Sequence, residues 1–467
     1  MRSTQEMSGL VGNLQGGGAM DAYDMPDGPG AASWRTTMAF MRERSSLIPR
    51  LHDKYGDTFT IRIHPGPREF VIFSDPADVK EIFAADPAQF HAGKGNDILR
   101  PVMGRHSVLL TDDLEHQRAR KLLMPAFMGS SMRGYVPLVE SIAKAEVDSW
   151  SDGDRIVTLD RMNAITLDVI LQVVFGVTDE DRLAVLRPKV NRMVDIDAWI
   201  LLSWMMPKLR HVPPWRGYFK NQKAVDELLF AEIAERRAAH DLTGRDDVLS
   251  RLLHVGEADD GEATTGGGAG PGAAEGTAPL SDVEMRDQLV TLLLAGHETT
   301  ASALSWTLHE LGKAPELHAR AVAAAESGDD AFLEACLKEG MRLHPIIDFV
   351  ARTLQSDQVV GGRRLPAGVT VAPSIMLSHS REESFADAHE FRPDRFVDGK
   401  PASNTWIPFG GGVRRCIGAA FSLMEGTVVL REVLQRFDVH AERPTGPRLR
   451  NITNVPHDKA PLVLHRR

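Results

Sequence analysis

The sequence predicts a mainly α fold with a smaller β-rich part. Three observations carry this reading. Residues 112–255 hold a mostly helical apolar pattern. A further helix starting at Ser281 is apolar all round in its middle, so it is expected to cross the centre of the protein. Extended patterns occur at Thr58–Phe73 and again at Val350–Pro373.

Taken in chain order, residues 1–25 are Gly-rich and polar and are expected to be loosely ordered. Residues 26–467 are read as one domain. Asp27, Gly28, Pro29 and Gly30 make a turn. Thr58–Ile63 alternates apolar with polar, His64-Pro65-Gly66-Pro67 turns, and Glu69–Phe73 resumes, which predicts a β-hairpin. Asp75 and Pro76 then supply an N-cap and a first helical position. Breaks in the long helical region are expected at Gly153, at Gly176 and over Pro207–Pro214. The stretch Val194–Met206 is rich in Ile, Leu, Trp and Met, which suits buried core or an adaptable cover over an apolar ligand. Residues 256–278 are low-complexity and Gly-rich, an expected surface insertion. Ser281 and Glu284 form a capping box for the central helix. The second β region is punctuated by Gly361-Gly362, and a helix over Ala419–Phe437 closes the core. No internal repeat is found.

The chain has 467 residues, 43% hydrophobic and 25% charged, enough to bury a large core around an organic cofactor. A formal net charge of -10 argues against a nucleic-acid binder. No basic flank with an apolar core opens the chain, and no run of about 18 apolar residues occurs. The expectation is a cytoplasmic protein with no membrane span. Cys336 and Cys416 are too few for a disulfide framework.

Phe409-Gly410-Gly411-Gly412-Val413-Arg414-Arg415-Cys416-Ile417-Gly418 is the strongest motif. The glycines allow a sharp turn and close approach to a flat macrocycle. The helix that follows points N–H groups at the sulfur and favours thiolate. Such a thiolate pushes electron density into a bound iron and favours O–O cleavage. Arg414 is well placed for a haem propionate, and Phe409 for keeping water from the sulfur. Two plainer readings stand beside this one. Cys416 can be a small core residue in an ordinary loop. Glycines before a helix can also bind phosphate, but no Lys-Ser/Thr follows to make a P-loop.

Phe409, Gly412, Arg414, Cys416 and Gly418 match every defining position of the haem-binding signature of the cytochrome P-450 family, which the chain resembles over roughly residues 26–463. The resemblance implies the mainly α P-450 fold with its smaller β part, haem b (iron protoporphyrin IX), and Cys416 as the ligand of the haem iron. Glu339-Gly340-Met341-Arg342 resembles the family's Glu-x-x-Arg motif. With Arg395, it implies a structural network behind the haem. Ala295-Gly296-His297-Glu298-Thr299-Thr300 resembles the oxygen-activation groove. There Thr299 would hydrogen-bond the oxygen and Glu298 would relay protons, while His297 would be a helix contact. His116 and Arg120 lie four apart on one helix face, and Arg352 starts a strand. All three are implied propionate anchors, although His116 stands where the family often has Trp. Gly410, Gly418, Ala295 and Gly296 complete the implied cofactor surround. Arg118 and Lys121 are expected to form a basic patch for an acidic electron donor.

The implied reaction inserts one atom of O2 into an apolar small molecule, with electrons from NAD(P)H through ferredoxin and ferredoxin reductase. Pocket walls are expected from Gly95–Ser107, residues 194–206, the Leu292–Thr299 face, Ile346–Val350 and Asn451–Val455. Three alternatives compete: a peroxide-driven haem-thiolate peroxygenase, a non-catalytic haem-binding sensor, and a hydrolase using Cys416 as nucleophile. The Glu298-Thr299 pair argues against the first two. The lack of a His/Asn partner arrangement argues against the third.

Overall fold

Alternation in Thr58–Ile63 and Arg68–Phe73 produces an antiparallel hairpin, with Thr58 opposite Phe73 and Ile63 opposite Arg68. The computed structural model describes residues 23–64, 68–196, 215–239, 247–257, 280–397 and 399–467, together with 200, 208, 211–213 and 245. Most of residues 194–206, the 256–278 insertion from 258 on, the turn residues 65–67, and residues 1–22 lie outside that set.

The hairpin does not stand alone. Arg68–Phe73 pairs in parallel with Thr370–Pro373. That strand pairs antiparallel with Arg352–Leu354, which carries Phe90–His91 at the edge. The two extended regions of the sequence therefore fuse into one five-stranded sheet. A parallel pair needs a long crossover, and here the crossover contains the central helix and most of the helical part. Gly361 and Gly362, both at positive φ (58° and 73°), turn a separate hairpin between Gln358–Val360 and Arg363–Leu365.

The central helix spans Asp282–Lys313. Ser281 Oγ accepts the Glu284 N–H, and the Glu284 carboxylate accepts the Ser281 N–H at 2.8 Å, closing the capping box. Most of its residues are buried, and Trp306 is fully buried. Its most extensive neighbour is the helix Thr158–Phe175, which ends at Gly176 in the left-handed region. On its other side lie the helices Asp330–Leu343 and Ala419–Leu434, here called the cysteine helix.

Two expectations are corrected. The last helix stops at Leu434, and Phe437 opens a strand instead, since Phe437–His440 alternates in burial and pairs with Pro461–Arg466. Ordered contacts also begin before residue 26: the Asp24 N–H donates to Arg364 O at 2.9 Å. No single helix among the described residues is long and apolar enough to cross a membrane. Cys336 is fully buried in the Asp330–Leu343 helix, where burial pushes its thiol well up.

Candidate active site

The Cys416 loop turns at Gly410 (φ 63°) and Gly412 (φ 64°), a region in which glycine is at ease. The glycines have a second reason that the sequence reading missed. A Cβ at Gly411 would lie 2.2 Å from the Phe83 ring, and one at Gly412 would lie 2.2 Å from the Phe83 carbonyl oxygen. The loop is laid directly on the end of the helix Pro76–Ala84, so two of the three glycines answer to protein and not to a macrocycle. The Cys416 N–H closes the turn on Phe409 O at 2.9 Å, and the Phe409 ring packs edge-on to Trp406.

Cys416 is accessible, yet the protein around it is dense enough to raise its thiol by desolvation. Those two facts together mean a surface facing inward. The Gly418 N–H, Arg120 and Arg415 pull the other way. A sulfur so placed becomes a thiolate when a metal cation binds it. Gly418, at the start of the cysteine helix, opens onto space: a Cβ there would meet no atom within 4 Å.

Four basic side chains converge beside the loop. His116 and Arg120 come from the helix Asp113–Leu123, Arg352 from the sheet and Arg414 from the loop. Burial, then Arg414 and Arg120, hold His116 down to about 4. Burial, then Arg414, lower Arg352 to about 10. Arg120 and Arg414 are lowered too, chiefly by burial. The nearby carboxylate is Asp112, which accepts from Arg414 Nη2 and from the backbone N–H groups of Gly93 (3.0 Å) and Lys94 (3.3 Å). Asp112 is a residue that sequence reasoning missed. It occupies the N-cap position of the Asp113–Leu123 helix without capping it, because its side chain serves Arg414. Partly buried cations that repel one another are matched by a ligand carrying two carboxylates. Arg118 is not part of this group, nor of a free basic patch: it pairs with Glu284 at 2.6 Å, tying its helix to the central one.

Across from the loop, the central helix interrupts its own burial. Ala295 is exposed in mid-helix, and Leu292, Leu294, Gly296 and Thr299 are half-buried. Thr299 Oγ1 donates to Ala295 O at 2.8 Å, a bond to the preceding turn that loosens a helix locally. Thr300 meets Ser422 of the cysteine helix at 3.1 Å, so the helix with the groove is bonded directly to the helix that follows the Cys416 loop. Gly296 answers to packing: a Cβ there would lie 2.7 Å from Ile170 Cδ1, so it admits the Thr158–Phe175 helix. The His297 carbonyl accepts from Thr166 of the same neighbour at 3.0 Å, and its buried ring hydrogen-bonds Leu293 O. Glu298 is buried against the C-terminal hairpin, where Asn451 Nδ2 donates to it at 2.9 Å and Arg450 pairs with it at 3.4 Å. Burial raises its carboxyl, and Arg450 and Asn451 counter that.

Glu339, Arg342 and Arg395 are brought together. Arg342 donates twice to Glu339, at 2.7 and 2.8 Å, and Arg395 Nε reaches the same carboxylate at 3.2 Å. Arg342 also donates to the carbonyls of His379, Ala388 and Glu390.

The model of the cytochrome P450 family matches residues 26–460. The chain belongs to the cytochrome P450 family. It is similar to putative cytochrome P450 135A1 of Mycobacterium tuberculosis, 48% identical over 443 residues, covering 94% of this chain and 95% of that one. Putative cytochrome P450 135B1 of Mycobacterium bovis is 37% identical over 441 residues, covering 93% and 90%. Among solved structures, the retinoic acid bound cyanobacterial CYP120A1 superposes with a TM-score of 0.79 at 21% identity, covering 96% of this chain and all of that one. The cytochrome P450DA heme domain gives the same TM-score at 24% identity, covering 95% and 98%. These two likenesses speak for the fold.

As a P450, the protein is a haem-thiolate oxidoreductase of the monooxygenase class, and its cofactor is haem b. The residues present fit that group. The inward-facing Cys416, the four converging basic side chains and the exposed patch at Ala295 would supply a thiolate on metal binding, a site for two carboxylates and a bare face.

Proposed function

We propose that this P450 inserts one atom of O2 into an apolar small molecule, using electrons from NAD(P)H passed on by a ferredoxin and its reductase. The observation that carries this reading is the pairing of an inward-facing Cys416 with a groove at Ala295 and Thr299 on a helix bonded to the cysteine helix. When bound, the haem supplies the O2-activating redox chemistry. The chain's own residues do the rest. Cys416 would hold the iron and lend it electron density. Arg120, Arg352 and Arg414 would bind the propionates and lose their mutual repulsion, with the neutral His116 as a hydrogen-bond donor beside them. Phe409 and the glycines of the loop keep water from the sulfur. Thr299 Oγ1 holds a proton at the groove, and Glu298 replenishes it from the hairpin side. Leu292 and Leu294 are half-buried apolar residues on the same stretch of the central helix, and they support an apolar substrate. Residues 26–467 act as one unit, in the cytoplasm.

The first test is the reduced, CO-bound difference spectrum. The red-shifted Soret band of thiolate-ligated haem is expected from the native chain and lost in Cys416→Ala. Well-folded native protein without that band overturns the reading. A second test is Thr299→Ala. General acid–base steps contribute about 10²- to 10⁴-fold, so product formed per O2 consumed is expected to drop at least about tenfold, with the rest released as peroxide. Full coupling in that variant would remove Thr299 from the proton path. Faster turnover on peroxide alone than on reduced ferredoxin with O2 would favour a peroxygenase.

A further inference from the structure

The C-terminal hairpin pairs Pro447–Arg450 with Thr453–Pro456, and its tip lies between two helices. Asn451 sits there at φ 57°. Its amide oxygen accepts the Ile196 N–H at 2.8 Å. Its amide nitrogen donates to Val194 O at 3.0 Å and to Glu298 Oε2 at 2.9 Å. Arg450 repeats the pattern, lying 3.2 Å from Asp195 Oδ1 and 3.4 Å from Glu298 Oε1. Asn451 thus bonds one oxygen of Glu298, and Arg450 faces the other at ion-pair distance without a hydrogen bond. The same two side chains hold Val194, Asp195 and Ile196, at the C-terminal end of the helix Glu180–Val194.

This inference rests on the reading of Glu298 as the acid that serves Thr299. We propose that Asn451 and Arg450 are positioning residues for Glu298, and that they transmit the position of the Glu180–Val194 helix end to its protonation.

The physical basis is a shared cation. Arg450 lies between two carboxylates, one buried and one exposed. The groups facing Glu298 are Arg450, Asn451 and Thr453 from the hairpin and Asp195 from the helix end. Arg450, Asn451 and Thr453 lower its pKa, while Asp195, like burial, raises it. With the helix end docked, Arg450 is divided and Glu298 keeps its proton more firmly. When the end moves away, Asp195 leaves with it, the full charge of Arg450 falls on Glu298, and the proton is released more readily. A ligand that shifts this end thereby sets when Glu298 is loaded. Such coupling acts in both directions.

The experiment is an infrared pH titration of the ferric, haem-loaded protein, with the Glu298 carboxylic-acid band assigned by its loss in Glu298→Gln. Arg450→Gln is expected to raise the titration midpoint by about one pH unit, and Asp195→Asn to lower it by about half a unit. The Asp195 side chain is 62% exposed, so its neutralisation leaves the fold intact. A second readout is amide hydrogen exchange at Ile196. Asn451→Gly deletes the amide while keeping the left-handed backbone, and Glu298→Ala removes what holds it. Both are expected to speed that exchange at least about fivefold. A midpoint that moves in Arg450→Gln but not in Asp195→Asn overturns the transmission, and one that moves in neither overturns the positioning role as well. The thiolate CO band is recorded on each sample. Its absence from the native protein is a failure of the haem-thiolate reading, not of this coupling.

Discussion

Arg342→Ala is expected to destabilise the protein by about 3–5 kcal/mol, the range for removing one partner of a buried ion pair. Arg342 and Glu339 are 1% and 0% exposed at their side chains, so water replaces none of the lost bonds. The substitution leaves the Glu339 carboxylate with the Arg392 N–H at 2.9 Å and Arg395 Nε at 3.2 Å, both on one oxygen, and strips the other of its partner. It also leaves the carbonyls of His379, Ala388 and Glu390 without the guanidinium that gathers them. Those carbonyls belong to the segment leading toward Arg395, so the loss unfastens a large loop from the Asp330–Leu343 helix. Against a total of about 5–15 kcal/mol, this is a large fraction. Arg342→Lys is expected to fail nearly as badly, because one ammonium cannot replace a fork that serves four acceptor residues. Urea unfolding of the haem-loaded variants, with haem retention followed in the same titration, measures it. Haem and fold are expected to be lost together. A change below about 1 kcal/mol in Arg342→Ala would show that the network is not what holds this region.

Stability is expected to fall steeply as pH drops from about 6.5 toward 4. His297 is buried and held down to about 4 by desolvation, and His379 to about 3 by desolvation and then by Arg342. Geometry gives the same answer for His379, whose Nε2 accepts the Ile407 N–H at 2.9 Å and so must stay unprotonated. The folded pKa of each lies below the unfolded value of about 6.5. Between those values the unfolded chain binds protons that the folded chain refuses. Stability is therefore complete above about pH 6.5 and lost as pH falls. For His297 the loss by pH 4 is about 3 kcal/mol, at about 1.4 kcal/mol per pH unit of difference. Glu298, Asp348 and Glu425 act in the opposite sense, because burial raises their carboxyls and the folded state holds their protons. A difference measurement isolates the histidine. His297→Gln keeps a donor for Leu293 O and cannot be protonated. Its unfolding free energy relative to the native chain is expected to improve by about 3 kcal/mol between pH 7.5 and pH 4, and an unchanged difference would mean that His297 takes up its proton in the folded state.

What could be read along the chain was local. The capping box at Ser281, the cap at Asp75 with Pro76, and the Gly176 and Gly361-Gly362 stops stand where the residues place them, because each depends on contacts within a few positions. The run Phe409–Gly418 was legible for the same reason, since a turn and a helix start are encoded by adjacent residues. Glu339 and Arg342 were legible as a pair three apart on a helix. The carbonyls that surround them were not, since those come from a loop some forty to fifty residues later.

Tertiary structure decided what depends on distant residues sharing space. It merged two β regions into one sheet, with Arg68–Phe73 beside Thr370–Pro373. It set Phe83 under Gly411 and Gly412, and Ile170 under Gly296, so those glycines reflect close backbone approach by partners with no sequence signal. It made Asp112, at a helix N-cap position, the counter-charge of Arg414, and tied Arg118 to Glu284. Asn451 reads as part of a pocket-wall turn, and Arg450 carries no reading, until the fold brings both to Glu298. The sequence by itself determined the chemistry available, a cysteine in a glycine turn and an acid–alcohol pair in a helix, because those are matters of residue type and short spacing. Only the folded chain decided which charges meet, since Coulomb and packing energies depend on distances that the order of residues does not contain.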